Sequence, residues 1–336
     1  MRSAERGPGH RRERGAALLT VLMLVAVIAV IAGGALERLR LSTRLATNAG
    51  AGEQARAYAY AAEALALSKV TDQLNRDKTR VSLAGGWSGR PFGLPLAGGG
   101  YAVARVTDGG NCFNLNGLVV IDPLTSAGYR SNGAARLVFV RLMRLIDIPV
   151  QSAETIAASA SDWIDTDQEQ QTAGAEDAIY QAREIPYRTA GQLMTDASEL
   201  RAVNGMTPEI YAKLRPWVCA LPKPAMSMIN VNTLQPEQAP LLAMLLADTL
   251  SVQSARQALL RRPEQGFSGT DGFWNLVSLN GGGADLGGKS QTAVTSTWFA
   301  LAIEVRMGDT VIEEHALIDA NRLPAQLAAR QWGEDS

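Results

Sequence analysis

The chain has 336 residues, with 32 Lys and Arg against 33 Asp and Glu and a formal net charge of −1. That balance excludes a nucleic-acid-binding surface spread over the whole molecule. The 46% hydrophobic content is ordinary once one long apolar run is counted, and the remaining length is enough for one large or two ordinary domains.

The apolar run is Ala16 to Leu36, AALLTVLMLVAVIAVIAGGAL, in which no side chain is charged and Thr20 alone is clearly polar. About 21 helical residues rising about 1.5 Å each span roughly 30 Å, the thickness of a bilayer's hydrocarbon core. The run lacks the polar face of a soluble core helix, so it reads as membrane-inserted. The leader before it holds Arg2, Arg6, Arg11, Arg12 and Arg14 against Glu5 and Glu13, which keeps it cytoplasmic. An ordinary secretory peptide has a shorter apolar region of about 7–15 residues, although Gly33-Gly34-Ala35 imitates a cleavage site.

Residues 37–75 still read as helix, either one with the apolar run or an independent amphipathic helix, which periodicity does not separate; Leu39, Leu41 and Leu45 alternate with Arg38, Arg40 and Arg44, and Gly50 and Gly52 are placed to bend or soften it. Ser82 to Gly100 is a Gly- and Pro-rich loop, Tyr101 to Thr107 alternates as a strand, and Asp108-Gly109-Gly110 is a turn. From Ala134 to Leu221 the pattern is helical. One helix carries Leu137, Phe139, Leu142, Met143 and Leu145 on an apolar face and ends at Pro149; a second runs from Ser152 to Trp163 into an acidic loop. Two short helices flank the turn 204–208, where Thr207 caps and Pro208 takes the first helical position. Thr233 is read as the cap of a helix over 234–249, followed by a short helix over 252–262 and a glycine-rich linker over 281–288. The end returns to a hairpin, Thr297 to Met307 and Thr310 to Ile318 about Gly308-Asp309. Strand, helical insert and strands again describe an α+β body interrupted by an α domain.

The sharpest chemical cluster is Asp162-Trp-Ile-Asp165-Thr-Asp167-Gln-Glu169, followed by Glu176-Asp177. With Asp165 at position one, Asp167, Glu169 and Glu176 fall at the third, fifth and twelfth positions of a calcium loop, but Gln170 stands where an EF-hand needs glycine. Carboxylates this crowded repel one another and favour a hard, oxygen-seeking cation; a solvated acidic loop is the competing reading. Cys112 and Cys219 are one possible pair, a disulfide if the body lies outside the cytoplasm and free thiols if it lies inside. The segments 198–211 and 229–233 are similar to helix-hairpin-helix elements that hold DNA backbone. Residues 154–209 nevertheless carry eleven acidic side chains against Arg183, Arg188 and Arg201, a balance that repels phosphate, so no nucleic acid is expected. His315 is the only histidine beyond the leader, and no nucleophile elbow, phosphate loop or thiol–histidine motif is present, so the chain is not read as an enzyme.

The order Arg14-Gly15-Ala16-Ala17-Leu18-Leu19 ahead of an intact apolar helix resembles the signal of type IV pilins and type II secretion pseudopilins. The resemblance implies cleavage by a prepilin peptidase between Gly15 and Ala16, with methylation of the new N-terminus and retention of the helix as anchor and assembly spine. Most members of that family carry glutamate at the fifth mature position, where this chain has Thr20. The K-type minor pseudopilins of type II secretion lack that glutamate and are unusually large, and the segments Cys112-Phe-Asn-Leu-Asn116, Asp162 to Glu169, Val203 to Leu214 and Ile229-Asn-Val-Asn-Thr233 resemble theirs in order.

The resemblance implies a pseudopilin fold, a long N-terminal helix packed on a small antiparallel sheet, with a large inserted α-helical domain. It divides the chain into a leader 1–15, a transmembrane half-helix 16–36, an α+β body from 37–122 and 290–324, an insert 123–289 and a flexible tail 325–336. It also implies calcium on the acidic loop, drawn from Asp165, Asp167, Glu169, Glu176 and Asp177, and it favours a Cys112–Cys219 disulfide. The implied partners are the I- and J-type minor pseudopilins, the major pseudopilin, prepilin peptidase and inner-membrane lipid, with the body in the periplasm. Thr20 and the bulky insert would together fix such a subunit at the pseudopilus tip. Two other classes stay open: a secreted protein starting near Leu36, and a membrane-anchored DNA receptor.

Overall fold

The computed structural model describes residues 10–97, 99–124, 128–246, 249–279 and 286–333. Helix α1, His10–Arg76, runs without a break through Gly50 and Gly52. No residue from 16 to 50 is buried, and beyond that point one stripe goes under: Ala55, Ala59, Ala62, Ala66, Val70 and Leu74. The spacing of three to four residues keeps these on one face, and the alanines let the helix backbone lie close on what it covers.

What it covers is one face of a five-stranded antiparallel sheet, β1 (Phe92–Pro95), β2 (Tyr101–Asp108), β3 (Trp298–Met307), β4 (Thr310–Asp319) and β5 (Gln326–Trp332), in that spatial order. Alternate residues of the central strands, Ala102, Ala104 and Val106, then Phe299, Leu301, Ile303 and Val305, then Ala316 and Ile318, bury against α1 as the two-residue strand period requires. The tail expected to be flexible is instead β5, paired with β4 from Gln326↔Asp319 to Trp332↔Glu314. An alternation of apolar and polar residues is missing there because β5 is an edge strand with little to bury. It is held by Arg330, whose guanidinium donates to Glu63 Oε2 of α1 at 2.5 and 2.8 Å and stands 3.4 Å from Glu314 Oε1. Tyr60 and Trp332 pack edge to face beside it, 5.6 Å apart.

Between β2 and β3 the chain makes a second hydrophobic core. It begins earlier than residue 123, since Phe113, Leu115, Leu118 and Val119 are buried in it. Helix α2, Gly133–Leu145, is capped by Asn132, whose side chain accepts from the Ala135 N–H, and it crosses α3, Val150–Ile164. Phe113 stacks on Phe139 at 4.6 Å, while Leu137, read as part of the apolar face, is 68% exposed. The helix read over 234–249 is broken into Pro236–Gln238 and Pro240–Ala243, each opened by a proline that lacks the N–H an unbroken helix would use. Thr233 does not cap it; its hydroxyl donates to Asp108 Oδ2 at the end of β2. Of the glycine-rich linker, residues 281–285 lie outside the described residues. Gly288 is buried, where a Cβ would stand 2.7 Å from the Leu245 carbonyl oxygen.

Buried asparagines join the insert to itself and to the sheet. Asn114 Nδ2 donates to the carbonyls of Lys223 and Ala225 at 3.0 and 2.8 Å, and its Oδ1 accepts from the Leu221 N–H at 2.8 Å. Asn230 Nδ2 reaches Val81 O and Ser296 Oγ, and Asn232 exchanges two bonds with the Phe267 backbone. Asn114→Ala strands the buried N–H groups of Leu221 and Asn116 and the Ala225 carbonyl, while the Lys223 carbonyl keeps the Ala225 N–H, so a loss of about 2–3 kcal/mol is expected in urea unfolding. The Leu221 amide should lose most of its protection from hydrogen exchange; an unchanged midpoint would show these bonds to be dispensable.

Candidate metal centre and assembly surfaces

Helix α3 ends in an acidic face because Asp162 and Asp165 stand three residues apart at its last turn, with Asp165 as C-cap. Asp162 is fully buried and organises the loop that follows, accepting from the Gln171 N–H at 3.2 Å. The loop comes so close that a Cβ on Gly174 would lie 2.0 Å from Asp162 Oδ2, so only glycine fits there. This returns Glu176 to the end of α3. Carboxylate oxygens of Asp165, Asp167 and Glu176 then lie within 4.8 Å of one another.

Asp165 and Glu176 are buried, and all four of their oxygens lack a hydrogen-bond partner. Burial, reinforced by Asp167, Asp162 and Glu176, pushes the Asp165 carboxyl up to about 8. Burial, then Asp162 and Asp167, pushes Glu176 up to about 7, and burial lifts Asp162 to about 6. Arg136 is the nearby cation opposing these shifts at Asp162 and Asp165. Buried carboxylates without partners are costly, and a hard cation with oxygen preference would satisfy them together.

Two of the five carboxylates read from sequence stand apart. Glu169 is exposed, and its N–H donates to Asp167 Oδ1 at 2.8 Å, so the loop turns before its side chain can point inward. Asp177 accepts from the Thr189 N–H and hydroxyl, both at 2.9 Å, and faces Arg188. Those bonds, the Thr189 amide first, hold its carboxyl below the usual range. Asp162 stays outside the cluster of three and holds the loop instead, both of its oxygens accepting from the Gln171 N–H. Beyond the loop, Arg183 lies over the rings of Tyr180 and Tyr187, with Trp163 against both.

Cys112 and Cys219 are bonded, with Cα atoms 5.8 Å apart and a sequence separation of 107. The bond lies beside the parallel pairing of Phe113 with Val218. Gly15 and Ala16 lie inside α1. Thr20 is exposed, and its hydroxyl donates to the Ala17 carbonyl at 2.9 Å, so it is satisfied within its own helix.

Two family profiles, both described as "Type II secretion system (T2SS), protein K", match residues 111–223 and 229–295. Type II secretion system protein K of Pectobacterium carotovorum subsp. carotovorum is 33% identical over 328 residues, covering 96% of this chain and 97% of that protein. The chain belongs to the type II secretion system protein K family. The protein K of Aeromonas hydrophila is 36% identical over 263 residues, 77% of this chain and 79% of that one. Among solved structures, a chain of the GspK-GspI-GspJ complex from the enterotoxigenic Escherichia coli type 2 secretion system superposes with a TM-score of 0.72. It is 33% identical and covers 84% of this chain and 97% of its own.

Family membership makes the architecture above the α+β pseudopilin fold with an inserted helical domain. The first profile opens at Asn111, where the chain leaves the sheet, and contains both the acidic loop and the disulfide; the second opens at the buried Ile229-Asn230 pair. The one described helix long and apolar enough to cross a membrane is α1, which fits a single-pass anchor.

Proposed function

We propose that the chain is a minor pseudopilin that caps the tip of the periplasmic pseudopilus and so helps drive folded proteins across the outer membrane. The observation that carries this reading is where the helical domain is mounted. Val70 and Thr71 of α1 lie by Val106, Phe299 and Ala325, at the end of the sheet that feeds the insert. Tyr58 and Tyr60 lie by Ala97 and Trp332 at the opposite end. The insert therefore projects from the end of α1 farthest from its apolar half, where it would block another subunit from stacking above.

In this reading prepilin peptidase cuts between Gly15 and Ala16, the new N-terminus is methylated, and the anchor crosses the inner membrane with its N-terminus cytoplasmic. The partners are I- and J-type minor pseudopilins, as in the similar complex, with the major pseudopilin below. Thr20 supports a terminal position, since it offers no carboxylate to a neighbour's amine and needs none for itself. Calcium is the cation proposed for Asp165, Asp167 and Glu176, with Asp162 holding the loop around it. It would neutralise the crowded carboxylates and lock the loop, a structural and not an enzymatic role.

Gold labelling of the helical domain on sheared pseudopili tests the cap. Label is expected at one filament end, and in Thr20→Glu it should stay there because the domain still blocks growth. Thr20→Glu label along the shaft would move the stop to the helix, and wild-type label along the shaft would overturn the cap.

A further inference from the structure

Immediately beyond the apolar run, α1 carries three arginines that the fold does not use. Arg38, Arg40 and Arg44 are exposed, and among the described residues none forms an ion pair or hydrogen bond with them. At about 1.5 Å per residue they stand roughly 3, 6 and 12 Å past Leu36. If residues 16–36 fill the hydrocarbon core, these heights fall in the headgroup layer and at its outer edge.

Their directions matter as much as their heights. At about 100° per residue, Arg40 and Arg44 point within about 40° of each other, while Arg38 points to the other side of the helix. Charges on opposite sides suit a partner that surrounds the helix, as a headgroup layer does, and not one protein face. Leu39, Leu41 and Leu45, each about 60% exposed, interleave with them as apolar side chains do at an interface.

Resting on the anchor and processing proposed above, we infer that Arg38, Arg40 and Arg44 form a collar seated on lipid phosphates of the leaflet facing the body, and that the collar is a one-way stop. Inward displacement of α1 drags guanidinium groups into hydrocarbon, which is costly. Outward displacement does not. Before processing, five leader arginines resist outward movement from the opposite end. Once the leader is gone an α-amine is the only charge that does, so the mature helix is barred from sinking, while its rise is opposed by its own apolar surface until neighbouring subunits cover it.

The test uses the chain beginning at Ala16, with Ala46→Cys as its sole free thiol because Cys112 and Cys219 are bonded. A nitroxide at that position reports depth in phosphatidylcholine vesicles with and without phosphatidylglycerol, beside the same chain carrying Arg38→Gln, Arg40→Gln and Arg44→Gln. The wild-type label is expected to stay in water, and the triple variant's label to sink by about one helical turn, ~5 Å, in both lipids. Melting of the body should be the same in both chains. Equal depth in the two chains overturns the collar while leaving the anchor intact. Failure of the wild type to enter vesicles at all overturns the anchor, and the collar with it.

Discussion

Calcium added to the chelated protein is expected to raise its melting temperature by roughly 6–10 °C, and Asp165→Asn should abolish that rise. A ligand present at about 100 times its Kd stabilises by about 2.7 kcal/mol, and each kcal/mol is worth roughly 2–4 °C in a domain of this size. The sharper prediction is the sign in the absence of calcium. Asp165 is buried against Asp162, Asp167 and Glu176 with no partner for either oxygen, so removing its charge relieves repulsion and desolvation together. Asp165→Asn should therefore melt at or above the wild-type temperature when both are chelated, and below it when both hold calcium. Glu176→Gln should behave alike. Glu169→Gln and Asp177→Asn should keep the calcium-induced rise, since neither side chain points into the cluster. Scanning calorimetry with and without chelator reads all four. A rise that survives Asp165→Asn, or disappears in Glu169→Gln, sinks this ligand set.

Arg330→Gln should cost about 3 kcal/mol, because it leaves Glu63 and the fully buried Glu314 without their shared cation. This is the lower end for a broken buried pair, since the guanidinium is 29% exposed. The loss has a pH signature. Burial first, and Glu63 second, raise Glu314 to about 7, so its proton is held more tightly folded than unfolded. For an acid raised in this way, the contribution to stability is complete below about pH 4.5 and declines as pH climbs toward 7. Without Arg330 the two carboxylates repel unscreened, so the variant should lose more at pH 8 than at pH 5. A second change, Glu314→Gln, should recover much of the loss at pH 8 and little at pH 5. Melts of the three chains at the two pH values decide it. An equal loss at both would show Arg330 acting through packing on Tyr60 and Trp332 instead of charge.

These two sites differ in how far they could be read from residues alone. Asp165, Asp167 and Glu176 follow loop spacing, which is local, and the structure brings those three together. Glu169 obeys the same spacing, but it is exposed outside the cluster, its own N–H turned onto Asp167. Asp177 accepts from Thr189, twelve residues on, a contact that no local count anticipates. The Glu63–Arg330–Glu314 cluster was invisible: its members are more than 250 residues apart at the extremes and lie on a helix and two strands. The same blindness made β5 read as a loose tail, because an edge strand needs only a neighbour's backbone.

The sequence by itself determined what depends on runs and periods. The apolar span of α1 follows from its uncharged length, the β3–β4 hairpin from alternation about Gly308-Asp309, and the α+β body with a helical insert from the order of those patterns. The tertiary structure alone decided what depends on meetings across the chain: the early start of the insert at Phe113, the asparagine bonds at 114, 230 and 232, and the gathering of Asp165, Asp167 and Glu176 apart from Glu169 and Asp177. The physical reason is that hydrophobic periodicity is written along the chain, whereas a buried polar group is stable only where a distant partner completes it.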